Sequence, residues 1–150
     1  GEPPVFTDSL SSASNAQKLK SFFSNEGYFN AAVKTVTNTQ NLKSIVRYSV
    51  TTNAPYYLDS IQANIQSPVL DSIYHTTVQK SVLQRGKRFR TKDFEQERNR
   101  LFTLFRNAGV FPFQLNAIDF SVSIDSTGQI TAFLYNLIFE ILLKIKKELR

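Results

Sequence analysis

The side chains able to do bond-making chemistry are few and scattered. His75 is the sole histidine and there is no cysteine, so neither a metal site of ordinary ligand count nor a His-based triad can be assembled. His75 is expected on a helix surface. The carboxylates Asp8, Asp59, Asp71 and Asp119 lack the spacing of an acid/base pair, and no Gly-rich phosphate loop occurs. Absent cysteine also excludes disulfides and thiol catalysis while leaving the compartment open. The reading is a binding module, not an enzyme, with no cofactor implied.

One cluster could bind. Lys80, Arg85, Lys87, Arg88, Arg90 and Lys92 surround Gly86, where they could hold nucleic-acid phosphates, lipid phosphates or an acidic partner domain. Phe89 and Phe94 interleave with these cations as in proteins that stack single-stranded bases. Both also suit packing at the start of a helix, and a solvated loop is the commoner origin of such a charge run, so nucleic acid is the runner-up to the reading developed below. The net charge of +6, from 18 Lys plus Arg against 12 Asp plus Glu, favours acidic partners without choosing among them.

The elements that would carry these residues are organised by a repeat. Leu19-Lys20-Ser21-Phe22-Phe23-Ser24-Asn25-Glu26-Gly27-Tyr28-Phe29 recurs in register as Leu101-Phe102-Thr103-Leu104-Phe105-Arg106-Asn107-Ala108-Gly109-Val110-Phe111, an offset of 82 residues. In each copy the apolar positions fall at helical spacing, Leu19, Phe22, Phe23 and Leu101, Leu104, Phe105, and the pattern stops at a glycine suited to a left-handed C-terminal cap. Strand-like stretches follow at Tyr28 to Thr37 and Val110 to Val122. Asn38-Thr39-Gln40-Asn41 reads as a turn, and Ser44 to Thr51 alternates Val46, Tyr48, Val50 with Arg47, Ser49, Thr51, completing an antiparallel hairpin. In the second copy Asp125 to Gly128 supplies the turn and Gln129 to Tyr135 the partner strand.

Between the copies, Tyr57 to Ile65 reads as a strand, and Ser67 to Val82 as a helix opening at Pro68 with Val69, Ile73, Val78 and Val82 inward. Thr91 is a candidate N-cap for a helix over Arg90 to Asn107, with Asp93 in its first turn and Phe94, Leu101, Leu104 and Phe105 inward. The second unit thus orders strand, helix, helix, strand, strand. The first shows helix, helix, strand, strand and lacks an opening strand, because Gly1 to Phe6 is short and holds two prolines. The expected division is 1–53, a unit truncated at its N-terminus, 54–136, a complete unit, and 137–150, an amphipathic tail. No Met is present, and the Gly1-Glu2-Pro3-Pro4 start is expected to be a cut inside a longer protein. The most apolar stretch, Ile130 to Ile145, is interrupted by Asn136, Glu140 and Lys144, so a membrane-spanning helix is not expected.

This order, with Gly86-Lys87-Arg88-Phe89, Glu97-Arg98, Leu101 and Gly109-Val110-Phe111 at their places in it, resembles the POTRA (polypeptide-transport-associated) domains of the outer-membrane assembly family that includes the Bam and Tam proteins. Gly1-Glu2-Pro3-Pro4-Val5 and Asn25-Glu26-Gly27-Tyr28-Phe29-Asn30 resemble its Tam-like branch. The resemblance covers roughly residues 1 to 135. It implies an α+β fold of tandem units, each a three-stranded mixed sheet covered by two antiparallel helices. It also implies a periplasmic location, attachment to a membrane β-barrel in the full-length protein, and partners among unfolded outer-membrane proteins, β-strand peptides and accessory subunits.

A sheet of three strands leaves edges whose unpaired N–H and C=O groups can template an extended peptide. The strand after each Gly-aromatic pair is the expected edge, which makes Phe29, Ala31, Val33, Thr35, Thr37, Phe111, Phe113 and Leu115 the candidate client surface. Pro112 argues against pairing in the second copy, since proline donates no ladder hydrogen bond. The competing readings are a basic nucleic-acid-binding domain and a purely structural spacer.

Overall fold

The computed structural model describes residues 9–109 and 117–136. The expected opening segment Gly1 to Phe6, Pro112, the candidates Phe111, Phe113 and Leu115, and the expected tail Leu137 to Arg150 lie outside these residues. The chain divides into two compact units, Gly1–Pro55 and Tyr56–Arg150.

In unit 1, helix α1 (Ser9–Asn25) precedes an antiparallel hairpin of β1 (Ala32–Gln40) and β2 (Lys43–Thr51). Among the described residues the unit has one helix, not the two expected. Gly27, at φ +95°, ends α1 in a Schellman cap, with Tyr28 N–H donating to Phe23 O at 2.9 Å and Gly27 N–H to Ser24 O at 3.0 Å. The expected turn at Asn38 to Asn41 is displaced: β1 continues through Gln40, and the reversal is made by Asn41 and Leu42 at φ +49° and +62°. Two left-handed residues in a two-residue loop match the right-handed twist of the flanking strands. The expected strand start at Tyr28 is also late, because Tyr28 to Ala31 is spent on the cap and a turn that brings Ala31 N–H to Tyr28 O at 3.2 Å.

The face of the hairpin with Val33, Thr35 and Thr37 on β1 and Val46, Tyr48 and Val50 on β2 is set by the register Val33↔Val50, Thr35↔Tyr48 and Thr37↔Val46. Asn15 of α1 donates to the Tyr48 hydroxyl at 3.4 Å, which fixes the helix over this face. No residue of α1 is buried, and Phe22 is 58% exposed.

Unit 2 contains β3 (Tyr57–Asn64), α2 (Pro68–Thr77) with a 3-10 turn at Val78–Lys80, α3 (Thr91–Asn107), β4 (Ile118–Ile124) and β5 (Gln129–Asn136). The sheet order is β3-β5-β4, with β5 central, parallel to β3 and antiparallel to β4. This is the expected α+β arrangement with a mixed three-stranded sheet. Its core is Leu70 and Tyr74 of α2, Leu101 and Phe105 of α3, and Ala117, Ile118 and Leu134 from the hairpin.

Four local expectations need correction. Helix α2 is capped at Ser67, whose hydroxyl accepts from Leu70 N–H at 3.4 Å with Pro68 next, but it stops at Thr77 rather than Val82. Its inward face is one position round from that expected: Leu70 and Tyr74 are buried with Ile73 packed beside them, while Val69 and Val78 face solvent. The α3 N-cap position falls on Arg90, with extended backbone, and Thr91 is already helical. The 82-residue offset carries α1 onto α3 residue for residue. It slips to 86 at the hairpins, Ala32 matching Ile118 and Lys43 matching Gln129, because the link from Gly109 to β4 is longer than that from Gly27 to β1. Among the described residues the strand that follows α3 is Ile118–Ile124, and the expected start of that strand at Val110 lies outside them.

Candidate functional site: sheet edges and the basic segment

Phe29 and Ala31 precede β1 in the turn, Ala31 buried; Val33, Thr35 and Thr37 alternate along β1 on its α1-facing side. Of the five candidate client-strand residues among the described ones, these three stand within a strand. Among the described residues β1 pairs only with β2 and β4 only with β5, so the outer side of each presents unpaired peptide groups. Alongside β1, Ser9 and Ser12 of α1 with Thr35, Thr37 and Thr39 line an open groove of about 510 Å³, and the Thr39 and Ser44 hydroxyls lie 2.8 Å apart.

The basic segment is committed to the fold. Gly86 N–H donates to Leu58 O at 2.7 Å, Leu58 N–H to Lys87 O at 2.9 Å and Phe89 N–H to Tyr56 O at 2.9 Å, so Gly86 to Phe89 runs antiparallel along the start of β3. Lys87 lies 3.3 Å from Asp93 Oδ2 and donates to Val82 O at 3.2 Å; Arg85 lies 3.5 Å from Asp59. Arg88 and Arg90 are half-buried, and Lys80 and Lys92 are exposed. Two of the six cations, Arg85 and Lys87, are therefore already paired with carboxylates of the same unit. Phe89 and Phe94, the candidate stacking platform, are buried against each other at 5.3 Å, and Phe94 meets Phe120 edge-on at 5.4 Å, so a base has no open ring to stack on.

The residue organising this region is one that hydropathy hides. Glu97, 1% exposed, accepts from Val82 N–H at 2.9 Å and is gripped by Arg100, Nε at 2.9 Å from Oε2 and Nη2 at 2.6 Å from Oε1. Arg100 reaches the Thr77 hydroxyl at 3.4 Å. A buried carboxylate is tolerated only when paired and hydrogen-bonded in this way. Burial, with Glu97 next in effect, holds the Tyr74 hydroxyl above its ordinary pKa. Asp93 and Glu97 thus anchor Val82 and Lys87, the two sides of the basic segment, to α3. The sequence signal was available in their i, i+4 spacing on the apolar face of α3. His75 is exposed, and among the described residues it bonds within α2, its Nδ1 lying 2.9 Å from Asp71 O.

No family model matches the chain, and no curated protein matches it. Solved structures do. BamA from Haemophilus ducreyi lacking POTRA domains 1–3 aligns over 89% of this chain and 24% of its own, at 12% identity and a TM-score of 0.51. POTRA domains 3–5 of Haemophilus influenzae BamA align over 81% of this chain and 48% of theirs, at 18% identity and a TM-score of 0.46. POTRA domains 1–2 of Omp85 from Anabaena align over 91% and 78%, at 15% identity and a TM-score of 0.42. The chain spans about half the length of one BamA chain and a quarter of the other. At these identities the likeness is one of fold, and the fold is the POTRA fold that the sequence resembles.

Proposed function

We propose that this chain is a periplasmic pair of POTRA units that holds extended strands of unfolded outer-membrane proteins or partner subunits on its sheet edges, as part of a protein attached to a membrane β-barrel. It acts by binding, without a cofactor. The observation that carries the reading is the strand order β3-β5-β4, which puts the last strand in the middle and leaves β4 an edge. Main-chain pairing along such an edge suits clients of differing sequence, since the groups that bind are common to every residue. On this reading the client surface is the backbone of β1 over Ala32–Gln40 and of β4 over Ile118–Ile124, with Val33, Thr35 and Thr37 flanking the incoming strand.

The nucleic-acid alternative draws less support. Its two aromatics are buried, and two of its cations already face carboxylates. NMR shift mapping with an outer-membrane strand peptide and, separately, a single-stranded oligonucleotide at near-physiological salt separates the readings. Peptide responses along β1 or β4 support strand pairing; oligonucleotide responses around Lys80 to Lys92 without a peptide response overturn it. A spacer responds to neither.

A further inference from the structure

Among the described residues, one face of the unit 1 hairpin is left uncovered. With Val33, Thr35 and Thr37 turned toward α1, strand alternation puts Lys34 and Val36 of β1 and Lys43, Ile45 and Arg47 of β2 on the other side, all exposed. The register pairs Val36 with Arg47 and Asn38 with Ile45, so Val36 and Ile45 are diagonal neighbours, 50% and 68% exposed. Lys43 and Arg47 stand on either side of Ile45 along β2, and Lys34 lies beyond Val36. Among the described residues no ion pair holds Lys34, Lys43 or Arg47, and from Ser9 to Thr51 the sole acidic residue is Glu26. At the tip, Leu42 is fully exposed and stands at φ +62°, where Gly or Asn would sit with little strain. Single apolar residues on a surface are ordinary. A leucine in a strained backbone position that gains no cover from its own chain is not, and such outliers concentrate where a protein meets something else.

We propose that this tip and face, Leu42, Ile45 and Val36 with Lys34, Lys43 and Arg47 around them, dock on a membrane surface carrying anionic lipids. The charge selects the occupant: β1 and β2 carry these three cations and no carboxylate, and such a surface is drawn to headgroup phosphates. The apolar set then selects a bilayer over a soluble polyanion. Only a bilayer offers an acyl boundary into which Leu42 and Ile45 can sink, while the lysine and arginine stems lie along it and keep their charges among the headgroups. An acidic protein surface would satisfy the cations and leave the tip leucine in water. The contact is peripheral: so few cations and aliphatic side chains give a weak, reversible and salt-sensitive attachment. It uses no peptide edge of β1 or β4, so it stands apart from the strand-binding reading and does not depend on it.

The test is co-sedimentation of the whole chain with vesicles of phosphatidylcholine alone and of phosphatidylcholine and phosphatidylglycerol in equal parts, with amide NMR signals followed as the anionic vesicles are added. The expected result is binding to the anionic vesicles only, falling steeply with added salt, and broadening centred on Asn41 to Ile45. Lys43→Gln is expected to weaken binding about fivefold, the usual contribution of a cation near an anionic surface, and Leu42→Gly about tenfold, from the loss of a largely buried leucine. Leu42→Gly is the sharper of the two, since glycine suits φ +62° and the hairpin is expected to gain by it. Amide protection at Thr39 and Ser44 checks that the hairpin is intact. Equal binding to both vesicles, or none to either, overturns the proposal. So does Leu42→Gly binding as tightly as the original chain, which would leave charge acting alone. Broadening confined to Lys80 to Lys92 overturns it as well, by moving the contact to the basic segment of unit 2.

Discussion

At the scale of single residues, the decisive group is Glu97. Removing it strands Arg100, which is mostly buried, and frees the Val82 amide, so Glu97→Ala is expected to cost unit 2 about 3 kcal/mol, the lower end for breaking a buried pair. The double change Glu97→Met with Arg100→Leu is expected to recover most of that loss, because a well-packed apolar pair needs no counter-charge. Urea unfolding followed at unit 2 amides checks both. Two titrations belong at this scale as well. Tyr74 is held neutral by burial, so its folded pKa lies above the ordinary 10.0; stability is complete below that value and is lost as pH rises through the folded one. Absorbance of ionised tyrosine should therefore show one residue titrating late and together with unfolding, and Tyr74→Phe should remove it. Asp125 carries the opposite sign. Its carboxylate accepts from the Thr127 hydroxyl at 2.7 Å and from the Gln129 amide at 2.9 Å, which lowers its pKa below 3.8. The turn is thus stabilised above the unfolded value and loosens as pH falls through the folded one. A carbon-detected carboxyl titration is expected to place Asp125 below ordinary aspartates, and in Asp125→Asn the acid dependence of the Gln129 amide should disappear.

At the scale of elements, matched motifs carry unequal weight. Leu101 and Phe105 of α3 are fully buried, whereas their counterparts Leu19 and Phe23 of α1 are only half-covered. Leu101→Ala is expected to cost about 3 kcal/mol and Leu19→Ala clearly less, read as the shift in denaturation midpoint of the unit concerned. The hairpin of unit 1 has a different weakness. Leu42 sits fully exposed at φ +62°, a conformation that costs a side chain roughly 1 kcal/mol, so Leu42→Gly is expected to stabilise the hairpin by about that much. Amide protection at Thr39 and Ser44 would report it. The contrast also shows what a sequence can and cannot disclose. Helices α1 and α3 and both hairpins were legible, because the apolar spacing and the closing glycines act within a few residues. The turn at Asn41-Leu42 was not, since leucine is a poor signal for a left-handed site. The face of α2 was missed by one position because Val69, Ile73 and Val78 made as plausible a stripe as Leu70 and Tyr74; only the position of the sheet decides between them. Gly86 to Phe89 read as a charged loop because its main-chain partners, Tyr56 and Leu58, lie about thirty residues away in sequence, beyond the reach of local patterns.

At the scale of the whole molecule, the two units differ in how much they bury. Unit 2 has a contiguous core, while α1 buries no residue, so unit 1 is expected to lose amide protection at lower denaturant than unit 2, in a separate step visible by hydrogen exchange. The order of strands in unit 2 has a consequence in time as well as in space. The strand that joins the other two is the last to be made: Ser60 meets Thr131 across 71 residues of chain, and β3 and β4 have no partner in the sheet until β5 arrives. A nascent chain must therefore carry β3 without its central partner from Asn64 until Gln129 is made, whereas β4 waits only for the turn after Ile124. During that interval it is itself an unfolded strand in want of a partner, exposed to aggregation as its proposed clients are.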